Sequence, residues 1–200
     1  MSSTRRILIL FAHPALHKSR VNRYLIRAAE GLDGVTFHDL YERYPKFHII
    51  VPREQDLLRS HDILLLQHPF YWYSGPALLK EWIDLVLQYG FAFGSHGLEL
   101  KDKGFMQAIT MGGGAESYGP DGMNRYTVRQ FLAPFEQTAQ LCHMRYLAPF
   151  VVQGTHRHAD EADVRPHVEE YRKLLIGLRD GTLSLDELEQ RELANEILAT

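Results

Sequence analysis

DILLLQHPFYWYSGPALLKEWID, residues 62–84, joins an unbroken apolar run to an amphipathic helical pattern through four consecutive aromatics. The run Ile63–Leu66, flanked by Asp62 and Gln67, lacks the alternation of a strand with one wet face. It therefore reads as a strand buried on both sides in a parallel sheet. Pro76 opens the following helix, where its missing N–H costs nothing. Leu78, Leu79, Trp82, Leu85 and Val86 form that helix's apolar stripe. The chain thus leaves a buried strand at the carboxyl edge of a sheet, where open α/β folds bind ligands. Leaving a large apolar side chain in water forgoes about 1.5–3 kcal/mol. Phe70, Tyr71, Trp72 and Tyr73 together point to a planar apolar partner, a ring or another subunit, against the plainer reading of an ordinary interface loop.

Outward from this stretch, apolar runs and helical patterns alternate. Strands are expected at Ile7–Ala12, Val35–Leu40, 62–67, Gly104–Met111 and Tyr146–Val152. Helices are expected at Ser19–Gly31, Glu54–Ser60, Pro76–Tyr89, Tyr126–Leu141, about 161–179 and 184–198, the last opening on a capping pattern at Ser184 and Glu187. This alternation predicts a three-layer α/β fold with a five-stranded parallel sheet and right-handed crossovers. In the flavodoxin-like order 2-1-3-4-5, the loops after strands 1, 3 and 4 meet at one edge. We expect a single domain over residues 1–200, with an acidic helical extension at about 184–198.

The 200 residues are 45% hydrophobic and carry a net charge of −3, with no face-forming run of Lys and Arg, which disfavours a nucleic-acid partner. One cysteine, Cys142, excludes an internal disulfide and fits a reducing compartment. The apolar run after Arg5-Arg6 ends at His13-Pro14, too short for a signal segment or a membrane span. A soluble, cytoplasmic chain is expected. His13 and His17 sit in a loop around a proline, and His156 and His158 lack neighbours at ligand spacing, so no metal is expected. Cys142 and Trp82 read as core residues.

Three loops carry the unusual chemistry. The first, His13–Asn22, enters a helix at Ser19; the hydroxyl and Asn22 can donate hydrogen bonds while Lys18 and Arg20 add charge, which suits a phosphate as well as it suits a plain helix cap. Neither GxGxxG nor GxxxxGK[ST] occurs, which disfavours a Rossmann site and a P-loop. The second is the aromatic stretch. The third, Thr110–Tyr118, contains Gly112-Gly113-Gly114, whose backbone amides can approach a ligand closely and stabilise negative charge, although flexible turns use such glycines too. A phosphate anchor, a stacking wall and a donor-rich edge are what a flavin mononucleotide requires.

In Ala12-His13-Pro14 with Ser19 and Asn22, in Leu40-Tyr41…Tyr44-Pro45…Phe47, in Gln67-His68-Pro69…Trp72-Tyr73-Ser74…Pro76…Leu79-Lys80…Trp82-Ile83-Asp84, and in Thr110…Gly112-Gly113-Gly114…Glu116, the chain resembles the flavodoxin-fold NAD(P)H:quinone oxidoreductases that include DT-diaphorase. Within them it is most similar to the ancillary subunits of glutathione-regulated potassium-efflux systems, over about residues 5–155. The resemblance implies a homodimer with flavin at the subunit interface, and alternate binding of NAD(P)H and quinone. It also implies that His13 and Ser19, Arg20, Val21 and Asn22 hold the phosphate. Pro69, Phe70, Tyr71, Trp72 and Tyr73 would wall the flavin ring, and Met111, Gly112, Gly113 and Gly114 would present amides to its edge. Tyr118 would be the catalytic residue, stabilising charge on the reduced ring. The family's alternative role is regulatory, as a cytoplasmic subunit on a membrane potassium-efflux transporter, peripheral to the inner membrane.

Two departures from the pattern matter. Asn124 stands where DT-diaphorase has a histidine, and it cannot relay a proton at neutral pH. The chain also lacks that enzyme's long C-terminal region, which favours FMN over FAD. The helix at 184–198 reads as a dimer arm, a partner contact or, most simply, a solvated terminal helix.

Overall fold

The computed structural model describes residues 4–158 and 160–198. One sheet contains β1 (Ile7–Phe11), β2 (Val35–Asp39), β3 (Ile63–Pro69), β4 (Gly104–Thr110), β5 (Arg145–Tyr146) and β6 (Phe150–Val152). All pairs are parallel, in the order β2-β1-β3-β4-β5, with β6 pairing β4 beyond β5. This is the expected flavodoxin-like order. The expected fifth strand at 146–152 is divided, because Pro149 has no N–H to give a ladder. The C-terminal tail fills the break: Ala148 N–H donates to the Leu188 carbonyl and Ala194 N–H to that of Pro149, both at 2.9 Å.

Alternate strand residues build two cores. Leu8, Leu10, Leu64, Leu66, Phe105 and Ile109 pack on one face against α3 (Val51–Arg59), α4 (Ala77–Val86) and α6 (Ala133–Leu141). Ile7, Ile9, Ile63, Leu65, Met106 and Ala108 pack on the other against α1 (Asn22–Leu25) and α7 (Glu161–Asp180). Burial on both faces explains the unalternating strands.

Three helices depart from expectation. The helix expected at 19–31 is one α-turn, α1, followed by a 3-10 turn at Ile26–Ala29. The Arg172 guanidinium draws off the carbonyls of Ala28 and Glu30, each at 2.9 Å, which ends the regular ladder. The helix expected at 126–141 starts from a capping box between Thr127 and Gln130 and divides near Pro134 into α5 (Val128–Phe131) and α6. The tail is α8 (Leu185–Gln190) and α9 (Asn195–Leu198) rather than one solvated helix. Its Leu185, Leu188 and Ala194 are buried. The Asn195 side chain accepts from Val151 N–H at 2.9 Å and donates to the Val151 carbonyl at 3.2 Å, standing in for a strand beside β6. The acidic tail thereby covers a sheet edge that would otherwise present unpaired backbone.

Candidate functional site

Register decides where the loops meet. Phe11 at the end of β1 pairs with Gln67, and Pro69 at the end of β3 pairs with Thr110 at the end of β4. The three strands stop together, and their loops enclose a cavity of about 430 Å³, within the range of ordinary cofactor pockets. His13, Lys18, Ser19, Arg20 and Val21 line one side, Pro69, Phe70 and Tyr71 another, and Thr110 and Gly112 the floor. The segment between β6 and α7 adds Thr155 and His156.

Loop one keeps several donors free. Ser19 Oγ accepts from Asn22 N–H at 2.9 Å and retains its own proton for a ligand, but the N-cap of α1 is Val21 rather than the expected Ser19, which closes the preceding 3-10 turn at Leu16–Lys18. The Arg20 and Val21 amides have no acceptor among the described residues. A four-residue helix carries little dipole, so any anion here depends on these donors and on Lys18 and Arg20 rather than on α1. Ala15 N–H donates to His13 Nδ1 at 3.1 Å. Burial lowers the His13 pKa, and the neutral ring carries its proton on Nε2. Asn22 departs from the role expected of it: its buried amide donates inward to Thr110 Oγ1 at 2.7 Å, tying α1 to β4 instead of facing the cavity.

The aromatic stretch is a tight turn closed by Ser74 N–H donating to the Tyr71 carbonyl at 3.0 Å. Its two central residues, Trp72 and Tyr73, have φ of 49° and 63°, left-handed values that cost a bulky residue roughly 1–2 kcal/mol each. Tyr73 has local compensation, stacking on Phe131 at 4.7 Å and donating to Asn124 Oδ1 at 3.1 Å. Asn124 thus anchors the turn. Trp72 is 92% exposed and stands at the rim, outside the cavity lining. Such strain concentrates where a ligand or partner is gripped. Trp72→Asn should therefore stabilise the ligand-free protein by about 1 kcal/mol, since Asn tolerates this conformation, and raise Tm by roughly 2–4 °C. A fall in Tm by calorimetry would contradict the strain assignment.

In the glycine loop, the Met111 amide is not available to a ligand as expected. It donates to the Val152 carbonyl at 2.9 Å, and the side chain is buried. The amides of Gly112, Gly113 and Gly114 have no acceptor among the described residues, so three consecutive donors remain. Tyr118 follows them, its ring set edge-on to Phe70 and Phe131. A Cβ at Gly113 would stand 3.1 Å from the Tyr118 hydroxyl, which places that phenol against the free amides. Burial, followed by the nearby Tyr73, raises the Tyr118 pKa, so the phenol is a neutral donor at physiological pH.

Two buried polar networks support this edge. Tyr146 donates to Gln107 Oε1 at 3.0 Å, Gln107 Nε2 lies 3.4 Å from His68 Nε2, and His68 Nδ1 donates to the Pro69 carbonyl at 3.0 Å. Burial lowers the His68 pKa to about 4, so a neutral imidazole holds the last residue of β3. Below α4, the fully buried Glu54 carboxylate accepts from Trp82 Nε1 at 2.8 Å, from His38 Nε2 at 3.1 Å and from the Tyr44 hydroxyl. Burial pushes the Glu54 carboxyl up, but the donors more than offset it, and its pKa lies below the ordinary value.

Sequence reasoning placed Ser19, Arg20, Val21, His13, Pro69, Phe70, Tyr71 and Gly112 around one pocket, and the structure brings these together. Tyr73, Gly113, Gly114 and Tyr118 do not line it; Gly114 lines a separate cavity with Glu116, Val151 and Arg157. Thr155, His156 and the supporting Glu54 were missed; the Gly154 turn beside a histidine-rich stretch was the available signal for the first two.

A parallel 2-1-3-4-5 sheet with a donor-rich loop, an aromatic turn and free glycine amides at its carboxyl edge defines a protein of the flavodoxin-like class. The chain belongs to the flavodoxin-like fold family, whose model matches residues 5–175. It is 45% identical over 175 residues to the glutathione-regulated potassium-efflux system ancillary protein KefG of Enterobacter sp. (strain 638), covering 88% of this chain and 95% of that protein. The general stress protein 14 of Treponema denticola, solved in complex with FMN, superimposes with a TM-score of 0.81 at 38% identity, covering 86% of this chain and 99% of that one. An NADPH-quinone reductase from P. pentosaceus gives 0.76 at 29% identity, over 85% and 97%.

Proposed function

We propose that this chain is a flavoprotein oxidoreductase that holds FMN in the 430 Å³ cavity and passes reducing equivalents from NAD(P)H to a quinone. The observation that carries the reading is one continuous cavity joining the Lys18–Val21 donors, the Pro69–Tyr71 wall and the floor at Gly112, beside three unpaired amides. Bound FMN would supply a two-electron redox centre that takes hydride from NAD(P)H and delivers it to the acceptor. The chain's residues supply the rest. Lys18, Ser19, Arg20 and the free amides beside them hold the phosphate; Phe70 and Tyr71 exclude water from one ring face. The Gly112–Gly114 amides and the Tyr118 hydroxyl aim donors at negative charge developing on the ring edge. Tyr71→Ala should weaken FMN binding about tenfold by removing part of the cavity's aromatic wall, read by titration of the apoprotein, and unchanged affinity would remove that residue from the ring site.

Purified protein is expected to be yellow and to bleach anaerobically with NADPH. Colourless protein that cannot be reconstituted with FMN or FAD would end this reading.

A second reading rests on the 45% identity to the KefG protein: the chain also acts as an ancillary subunit of a membrane potassium-efflux system, as a peripheral cytoplasmic partner. No helix among the described residues is long and apolar enough to cross a membrane, so membrane attachment would come through the transporter. Co-purification with such a transporter in detergent supports this role, and its absence counts against it. A homodimer would cover the exposed rings of Trp72 and Tyr126, and sedimentation at micromolar concentration tests it.

A further inference from the structure

The segment leading from β6 into α7 is laced to both sides of the cavity. Gly154 N–H donates to the Gly113 carbonyl at 2.9 Å, and Thr155 N–H to that of Met111 at 3.1 Å. Across the opening, Arg20 Nη1 donates to the His156 carbonyl at 3.1 Å. Arg157 pairs with Glu116 and holds the far end. Gly154, with φ of 65°, makes the reversal that sends the backbone back over the glycine loop. The His156 imidazole lies directly on Gly112, where any Cβ would collide with the ring. The absence of a side chain at residue 112 therefore seats His156 as well as freeing an amide.

This geometry makes the strap a second jaw. Loop one brings the Ser19 hydroxyl, the Arg20 and Val21 amides and the Lys18 ammonium from a single segment of chain. A phosphate monoester has three terminal oxygens, and those turned away from loop one must also find donors or remain in water. Thr155 and His156 line the same cavity, and their side chains carry a hydroxyl and a ring N–H. Arg20 links the two jaws through the His156 carbonyl, so loop one and the strap are positioned as a unit.

We propose that Thr155 and His156 complete the phosphate subsite, gripping the terminal phosphate from the side opposite Lys18–Val21. The inference rests on the flavin reading above, and it concerns the phosphate alone, not the ring. A phosphate clamp makes a difference between FMN and riboflavin, which share the ring and ribityl chain. A ring contact does not.

Apoprotein titrated with FMN and with riboflavin, by quenching of flavin fluorescence, separates these cases. Wild-type protein is expected to bind FMN at least tenfold tighter than riboflavin. His156→Ala and Thr155→Val should each weaken FMN about fivefold or more while leaving riboflavin within twofold, and Thr155→Ser should restore FMN binding. Thermal melts of the apoproteins within 2 °C of each other show that the variants fold. Parallel weakening of both ligands, or no weakening of either, overturns the proposal while the flavin reading stands. Wild-type protein that binds neither ligand overturns the flavin reading instead.

Discussion

Replacing Glu54 with alanine is expected to destabilise the protein by about 3–5 kcal/mol, a large part of the 5–15 kcal/mol that holds a typical domain folded. The carboxylate is fully buried and is the shared acceptor for Trp82 Nε1, His38 Nε2 and the Tyr44 hydroxyl. Removing it strands three donors in the core, each costing about 1–3 kcal/mol before relaxation. For a chain of this size the loss corresponds to roughly 6–20 °C in Tm. Urea unfolding with an unchanged slope is the measurement, and a loss below 1 kcal/mol would show that the network contributes little. Glu54→Gln should fall between, since its amide group turns one acceptor into a donor facing the same three hydrogens.

The same network sets an acid limit. The Glu54 pKa in the folded protein lies below its ordinary value of 4.5. A depressed carboxyl contributes stability that is fully present above 4.5 and is lost as pH falls through the folded value. Wild-type stability should therefore decline from about pH 4.5 downward, and Glu54→Gln should flatten that decline. An equally steep acid limb in the variant would assign the loss to other carboxylates. The consequence for function is indirect: Trp82 lies on α4, which begins just beyond the aromatic turn, so this network fixes the base from which Phe70–Tyr73 project.

Tyr118→Phe is expected to slow bleaching of bound flavin by NADPH about 10- to 100-fold in anaerobic stopped flow. A hydrogen bond to a charged group contributes about 1.5–3 kcal/mol, and 1.4 kcal/mol is a factor of ten in rate. The phenol is neutral, its pKa raised by burial, and the described structure shows no protein acceptor for its hydroxyl. The donor is thus free for charge that develops during reaction. Flavin content and Tm should stay close to wild type, because the ring contacts to Phe70 and Phe131 survive the substitution. Unchanged rates would remove Tyr118 from the chemistry and leave the glycine amides to stabilise that charge.

The structure also changes the meaning of residues that stood out in the sequence. Tyr44 and Trp82 belong to the conspicuous aromatic motifs, and both turn out to serve Glu54, a residue that no motif marked. Asn124, conspicuous as a replacement for histidine, anchors Tyr73. Asn22 ties α1 to β4 and Met111 completes the β4–β6 ladder, so neither side chain nor amide faces the cavity as the motif suggested.

From the sequence by itself came the five strand positions, the aromatic connection after β3, the Ser19 hydroxyl at the entry to α1 and the glycine loop. These follow from rules acting over a few residues: apolar runs without alternation demand a sheet covered on both faces, and glycine or a short hydroxyl declares its local conformation. Only the tertiary structure decided which donors remained free, that Trp72 and Tyr73 adopt left-handed backbone, that the tail pairs with β6, and that Arg20 reaches His156 across 136 positions of chain. Those outcomes depend on which distant groups claim each N–H and carbonyl, and local periodicity carries no record of partners brought close only when the sheet assembles.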